Sequence, residues 1–91
     1  MHHKKNKDEV IRRLSRIVGQ INGLKKMYEK DQACPEIIVQ IASIRAALRQ
    51  IGLITVEDHM EHCITAAFEE GKGKESVEEM SEAIKQFMKS V

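Results

Sequence analysis

The sequence predicts an all-α protein with three helices and a long central helix. Aromatic residues make up 3% of the 91 residues and Trp is absent, which favours a core of aliphatic side chains in helices over a sheet. Apolar residues recur at spacings of three and four, the period of an amphipathic helix. The one proline, Pro35, stands at the start of the most apolar stretch. Helices accept proline in the first turn, where its missing amide would have no partner.

The first helix is predicted to begin at Asp8. Asp8 and Glu9 suit the positive end of a helix dipole, and lysines follow near the predicted end. Residues 1–7 are interpreted as a flexible basic arm and residues 8–91 as a single domain. The apolar seam that defines this helix comprises Val10, Leu14, Ile17, Ile21, Leu24 and Tyr28.

Charge is divided unevenly along the chain. Residues 1–30 hold nine Lys and Arg against three Asp and Glu, a net charge of +6, whereas residues 31–91 hold six against eleven, a net charge of −5. Such a split suggests a polyanion as the partner of the first helix. An ordinary solvated face is the alternative. The arginines in question are Arg12, Arg13 and Arg16, with Arg45 and Arg49 forming a second basic spot.

The second helix is predicted to begin at Pro35, its first position, and to run to about Glu70, roughly 35 residues and about 50 Å at 1.5 Å per residue. The connection before it, residues 30–33, is short enough to imply an antiparallel helical hairpin. Apolar residues cover most of the helix circumference, as in a helix at the centre of an oligomer. A single chain of this size would expose much of that surface, so oligomerisation is expected.

A third helix is predicted over residues 75–91. The glycines of residues 71–74 indicate a helix stop and a turn. Ser76 precedes Glu79 at the spacing of a capping box, which supports a helix start in this region. The predicted buried stripe consists of Val77, Met80, Ile84, Phe87 and Val91.

Three residues of the second helix suggest a metal site shared between two chains. His59 and Cys63 are four residues apart, so they share one helical face. Cys34 lies 25 residues before His59, about 37 Å along a straight helix. An antiparallel two-fold dimer would bring Cys34 of one chain to the His59 and Cys63 of the other.

Two thiolates and an imidazole form a soft ligand set that favours Cu(I), with Zn(II) or Ni(II) as alternatives if a fourth donor is added. His62 and the N-terminal His2 or His3 are candidates for that donor, although solvated histidines are the plainer interpretation. Cys34 taken alone is most simply a small buried hydrophobe.

No catalytic motif is present in the sequence: it contains neither a glycine-rich phosphate loop nor His-Glu-x-x-His. We therefore expect no enzymatic activity and no organic substrate. The N-terminus carries no apolar signal segment, and no charge-free stretch reaches membrane-spanning length. A cytoplasmic chain with reduced thiols and no membrane association is expected.

Three segments carry a resemblance to a known family. In order, they are Arg13-Leu14-x-Arg16-Ile17-x-Gly19-Gln20, Cys34-Pro35-Glu36-Ile37-x-Val39-Gln40-Ile41-x-x-Ile44-Arg45-Ala46-Ala47 and Glu57-Asp58-His59-x-x-x-Cys63. Over about residues 8–90 the chain resembles the CsoR/RcnR family of metal-sensing bacterial repressors. The resemblance implies all-α dimers that pair into a homotetramer, bind operator DNA through basic residues of the first two helices, and release it on metal binding to turn on an efflux operon.

The resemblance also assigns residues. The Cys-His-Cys ligands of the copper branch correspond to Cys34, His59 and Cys63, and a glutamate behind those ligands corresponds to Glu79. The tyrosine that precedes the first cysteine in copper sensors is Ala33 here. The DNA contacts correspond to Arg12, Arg13, Arg16, Arg45 and Arg49.

Other interpretations remain open on the sequence alone. The nickel and cobalt branch shares an N-terminal histidine such as His3 but typically has histidine where Cys63 stands, although nickel sensors with a Cys-His-Cys core exist. The persulfide-sensing branch keeps both cysteines and lacks the histidine. A different class of function is a metal-buffering protein whose basic helix is merely solvated.

Overall fold

A computed structural model describes residues 6–69, 71 and 73–89, with the side chains of residues 63, 66–68 and 76 outside the description. Three helices follow one another: α1 (Lys7–Glu29), α2 (Cys34–Glu69) and α3 (Gly73–Lys89). No strand occurs among the residues described. The predicted all-α fold with a long central helix is therefore confirmed. Of the predicted basic arm, residues 1–5 lie outside the described residues.

The connection between α1 and α2 spans residues 30–33, as predicted. The Gln32 amide donates to the Met27 carbonyl at 2.9 Å and the Asp31 amide donates to the Tyr28 carbonyl at 3.1 Å. Asp31 has a φ of 54°, the left-handed conformation that commonly ends a helix with these two hydrogen bonds. Pro35 is the second residue of α2, one position later than predicted, where its missing amide is equally harmless.

The chain divides into two compact units, of which the first comprises Lys7–Ile51. Gln20 of α1 contacts Gln40 of α2, and Arg13 of α1 lines the same pocket as Ala47 of α2. Residue numbers rise along one helix as they fall along the other, so the predicted antiparallel hairpin is confirmed. The buried residues of this unit are Ile17, Ile37 and Ile44.

The second unit comprises Met1–Asn6 and Gly52–Val91. Its described part pairs the C-terminal half of α2 with α3, again antiparallel, because the Phe87 ring lies against Gly52 and Glu79 and Met80 line the same cavity as His59. Met80 is buried. The close approach at Gly52 has no counterpart at Gly19 and Gly23 of α1, where a Cβ would meet no described atom within 4 Å.

The predicted start of α3 was wrong by two residues. The helix begins at Gly73 rather than Glu75, which places Ser76 inside the helix instead of at its cap. The reason is that Gly71, with a φ of 68°, can end the preceding helix by itself. Gly73 and Lys74 are then available for the first turn of α3. Val91 of the predicted stripe lies outside the described residues.

Much of the predicted apolar seam is exposed in the single chain. Along α1 only Ile17 is buried, while Leu14, Ile21 and Tyr28 are exposed. On α2, Ile38 and Val39 are 62% and 68% exposed. Within the described residues, one segment of α2, Cys34–His62, is long and apolar enough to cross a membrane by length and composition alone. The core helix of a soluble protein meets the same criteria, so this segment is weak evidence for a membrane span.

We expect Gly52→Ala to destabilise the fold by about 1–3 kcal/mol, the usual range for overpacking. A Cβ at Gly52 would lie 2.5 Å from Cε1 and Cζ of Phe87, so the ring would have to shift. Urea denaturation followed by circular dichroism measures the change in the free energy of unfolding.

Gly19→Ala is the matched control, since it makes the same chemical change inside a helix with open space around it. It should raise stability by up to about 1 kcal/mol through helix propensity. Equal effects of the two substitutions would contradict the packing of Phe87 on Gly52.

Candidate metal centre and basic surface

His59 lies buried beside a cavity between α2 and α3. The side chain is 6% exposed, and the cavity has a volume of about 320 Å³. Glu79 of α3 lines the same cavity, so the structure brings together the predicted ligand and the glutamate expected behind it. The remaining lining residues are mostly apolar: Gly52, Thr55, Val56, Met80, Ala83, Ile84 and Phe87.

His62 lies close to His59. The centroids of the two imidazole rings are 5.8 Å apart, and the ring planes are inclined by 56°. Two histidines bound to one ion, each about 2 Å from it, would have a similar ring separation. His62 is partly exposed, one turn of helix away from the buried ring. The short distance between the two rings makes His62 a candidate for an additional nitrogen donor to a metal ion bound by His59.

Cys34 is the first residue of α2, and its thiol is free and exposed. The Cys63 side chain and the N-terminal His2 and His3 lie outside the described residues. Among the side chains that are described, no three His, Cys, Asp or Glu residues come together as a metal site. The donor types nevertheless fit a soft cation: an exposed thiol, and a buried imidazole that shares a cavity with a carboxylate.

A hydrogen bond beside His59 was not anticipated from the sequence. The Asn6 side-chain amide donates to Oδ1 of Asp58 at 2.6 Å, and Asp58 is only 7% exposed. In the sequence, Asp58 stands out only as part of the motif that contains His59. The signal available in the sequence was the position of Asp58 next to His59, a candidate ligand. Aspartates are rarely buried without a partner, and here the partner is Asn6.

The predicted arginines of α1 share one pocket of about 210 Å³. The Arg13 Nε is 3.2 Å from Oε2 of Glu9, one turn earlier in the same helix. This ion pair is partly exposed, so it contributes little to stability. The pocket gathers three positive charges in the first compact unit; its lining residues are Arg12, Arg13, Arg16, Ile17, Gln20, Ser43 and Ala47.

Arg45 and Arg49 do not line this pocket. Ser43 and Ala47 face it from α2, and a residue two positions away in a helix points about 160° to the other side. Arg45 and Arg49 are accordingly exposed on the opposite side of α2. The five predicted arginines therefore form two groups on two faces.

Gln20 is a polar residue of the pocket to which the sequence assigned no role beyond a motif position. The Gln40 side-chain amide donates to the Gln20 backbone carbonyl at 3.5 Å. The Gln20 Oε1 is buried, and no described residue donates a hydrogen bond to it. A buried acceptor without a donor costs about 1–3 kcal/mol. This cost in folding free energy falls on a residue of the pocket that the three arginines line.

The chain matches a family profile described as metal-sensitive transcriptional repressor over residues 6–86. The copper-sensing transcriptional repressor CsoR of Bacillus subtilis is 39% identical over 92 aligned positions, which cover 99% of this chain and 91% of that protein. The copper-sensing transcriptional repressor RicR of Mycobacterium tuberculosis is 36% identical over 69 positions, covering 76% of this chain and 72% of that protein.

Two solved structures share the fold. The copper-sensing repressor CsoR with Cu(I) from Geobacillus thermodenitrificans superposes with a TM-score of 0.85 and 44% identity, covering 93% of this chain and 88% of that one. The nickel-responsive transcriptional regulator InrS superposes with a TM-score of 0.77 and 39% identity, covering 88% of this chain and 90% of that one.

We expect Gln20→Met to raise the free energy of unfolding by about 1 kcal/mol, because it removes a buried acceptor that lacks a donor. Gln40→Met is the matched control: it removes a donor that is in use and should lower stability by about 0.5–1 kcal/mol. Thermal and urea denaturation measure both. A loss of stability in Gln20→Met would contradict the absence of a donor to its side chain.

Proposed function

Since the chain belongs to the family of metal-sensitive transcriptional repressors, we propose that it binds operator DNA and releases it when Cu(I) binds, so that a metal efflux operon is expressed. The observation that carries this proposal is the similarity to Cu(I)-bound CsoR over 93% of the chain, in a sequence that offers two cysteines and a histidine as soft donors. A repressor acts by binding in the cytoplasm, and we propose neither an enzymatic activity nor a membrane partner.

The proposed metal site uses Cys34 of one chain with His59 and Cys63 of the partner subunit. Cu(I) is a soft cation that prefers thiolate and imidazole ligands. The exposed Cys34 thiol at the start of α2 is accessible to a second chain. Histidines that bind metals usually donate their second ring N–H to a carboxylate or carbonyl. Glu79, which lines the cavity beside His59, is proposed to orient that ring.

We propose a homodimer that pairs into a homotetramer, with residues 8–91 acting as one domain. The supporting observation is the apolar surface that a single chain leaves open on α1 and α2. Burying such surface is the main favourable contribution to subunit association. A two-fold axis also supplies each site with the missing donor. The exposed apolar residues available for these interfaces include Ile11, Leu14, Val18, Ile21, Ile38, Val39 and Leu48.

The proposed DNA surface consists of the two arginine groups. Arg12, Arg13 and Arg16 share one pocket, and Arg45 and Arg49 are exposed on α2. Guanidinium groups bind phosphate oxygens through paired hydrogen bonds. Contacts of this kind release counterions, which makes affinity fall with salt concentration.

Ni(II) is the alternative inducer. The similarity to InrS favours it, as does the position of His62, whose ring lies 5.8 Å from that of His59. Either Ni(II) or Zn(II) would need a fourth donor, which His62 or His3 can supply.

We expect Cu(I) to weaken binding to operator DNA by about 5- to 150-fold, the usual range of allosteric coupling. Cys34→Ala should bind DNA as the wild type does without metal and should lose the response, because one donor is missing. Anaerobic fluorescence anisotropy with labelled operator measures both affinities, and X-ray absorption should count two sulfur donors and one nitrogen donor.

His62→Ala is the control for the choice of metal. It should keep the response to Cu(I), whereas a Ni(II) sensor that uses His62 would lose its response. Equal operator affinity with and without Cu(I) in the wild type would refute the copper proposal.

We expect Arg13→Ala and Arg16→Ala to weaken DNA binding for all sequences and to reduce the slope of log affinity against log salt by about one for each lost phosphate contact. Lys85→Ala, which removes an exposed positive charge from α3, is the control and should leave both quantities unchanged. Unchanged DNA binding in both arginine variants would favour a metal-buffering protein.

A further inference from the structure

The hydrogen bond between Asn6 and Asp58 joins two functionally important parts of the chain. The donor–acceptor distance is 2.6 Å. A carboxylate that is 7% exposed depends on hydrogen bonds for its stability. An amide that donates to a charged acceptor forms a stronger bond than one between neutral groups. The contact is therefore strong enough to hold a chain segment in place.

Asp58 is adjacent in sequence to His59, the proposed ligand, and Asn6 is adjacent to α1, the proposed DNA-binding helix. Asp58 precedes His59 in the same helical turn, and a turn of helix moves as a rigid body because its amides are bonded to one another. Asn6 precedes Lys7, the first residue of α1, which carries Arg12, Arg13 and Arg16. A displacement of the turn that holds His59 must therefore stretch the bond to Asn6 or move the residue before α1.

We propose that the Asn6–Asp58 hydrogen bond is a positioning contact that connects metal binding at His59 to the start of the DNA-binding helix. This inference rests on the proposed function. In the metal-free protein the bond fixes the position of Asn6, and DNA binding by α1 depends on that position. When His59 takes its metal-bound position, the turn that carries Asp58 shifts and the bond weakens. Neither Asn6 nor Asp58 is a ligand in this scheme.

The scheme predicts which state each substitution changes. Loss of the bond should weaken DNA binding by the metal-free protein and leave the Cu(I)-bound protein unchanged, since the bond is already weakened there. The ratio of the two affinities, which measures the coupling, should therefore decrease.

The test uses four variants of the full chain: Asn6→Ala, Asn6→Asp, Asp58→Asn and the double variant Asn6→Asp with Asp58→Asn. Asn6→Asp retains a side chain that can cap α1 but replaces the donor with a second carboxylate. The double variant exchanges donor and acceptor and so restores the bond. Asp58→Asn keeps an acceptor oxygen without its charge.

We expect Asn6→Ala to reduce the affinity ratio about tenfold, the size of a hydrogen bond to a charged group. Asn6→Asp should reduce it at least as much, Asp58→Asn should be intermediate, and the double variant should recover the wild-type ratio. The ultraviolet thiolate-to-Cu(I) absorption and the helical circular dichroism should stay the same in all four, which separates positioning from loss of the site or the fold.

A wild-type affinity ratio in Asn6→Asp would overturn the inference, and so would a double variant whose ratio does not recover. An equal drop in both affinities would also overturn it, because that pattern is expected of a purely structural contact.

If the wild type itself shows no response to Cu(I), the proposed function fails, and the contact is judged by hydrogen exchange in the metal-free protein. Faster exchange of the first amides of α1 in Asn6→Asp, reversed in the double variant, would support the positioning role. Unchanged exchange would overturn it.

Discussion

The structure depends on α2, an uninterrupted helix of 36 residues that is apolar on most of its circumference. Each half of α2 packs against one other helix, and one neighbour cannot cover such a surface. Few of the residues that the structure describes are buried in the single chain, and Ile38 and Val39 remain largely exposed. Burial of apolar area is the main source of folding free energy, so most of the stabilisation that α2 offers is available only to an assembly.

The same helix carries the candidate ligands near its two ends. Cys34 is its first residue, and His59 belongs to the last third. Because 25 residues separate Cys34 from His59 in the sequence, we propose that a cation needing both donor types is shared between chains. In this proposal, assembly and metal binding have one physical cause: the length of α2 both exposes apolar surface and separates the donors.

Two polar groups lie where a stability argument alone would not place them. Asp58 is a buried carboxylate held by Asn6, and Gln20 keeps a buried oxygen without a described donor. Apolar residues at these positions would remove the desolvation cost. Both residues lie next to a proposed functional group, Asp58 beside His59 and Gln20 among the arginines of α1. Their cost is consistent with selection for binding and coupling in addition to stability.

The sequence by itself determined the helical class, the connection at residues 30–33, the antiparallel hairpin and the residue types of the candidate metal site, because periodicity, turn chemistry and ligand softness are local properties. It placed the start of α3 at Glu75, since a capping motif is visible in the sequence whereas the left-handed conformation of Gly71, which ends α2, is not. Only the tertiary structure decided that Phe87 packs on Gly52 and that Glu79 shares a cavity with His59. It also decided that the arginines fall into two groups and that Asn6 donates a hydrogen bond to Asp58. Asn6 and Asp58 are 52 positions apart in the chain, and no local pattern encodes which distant side chains meet when two helices pack.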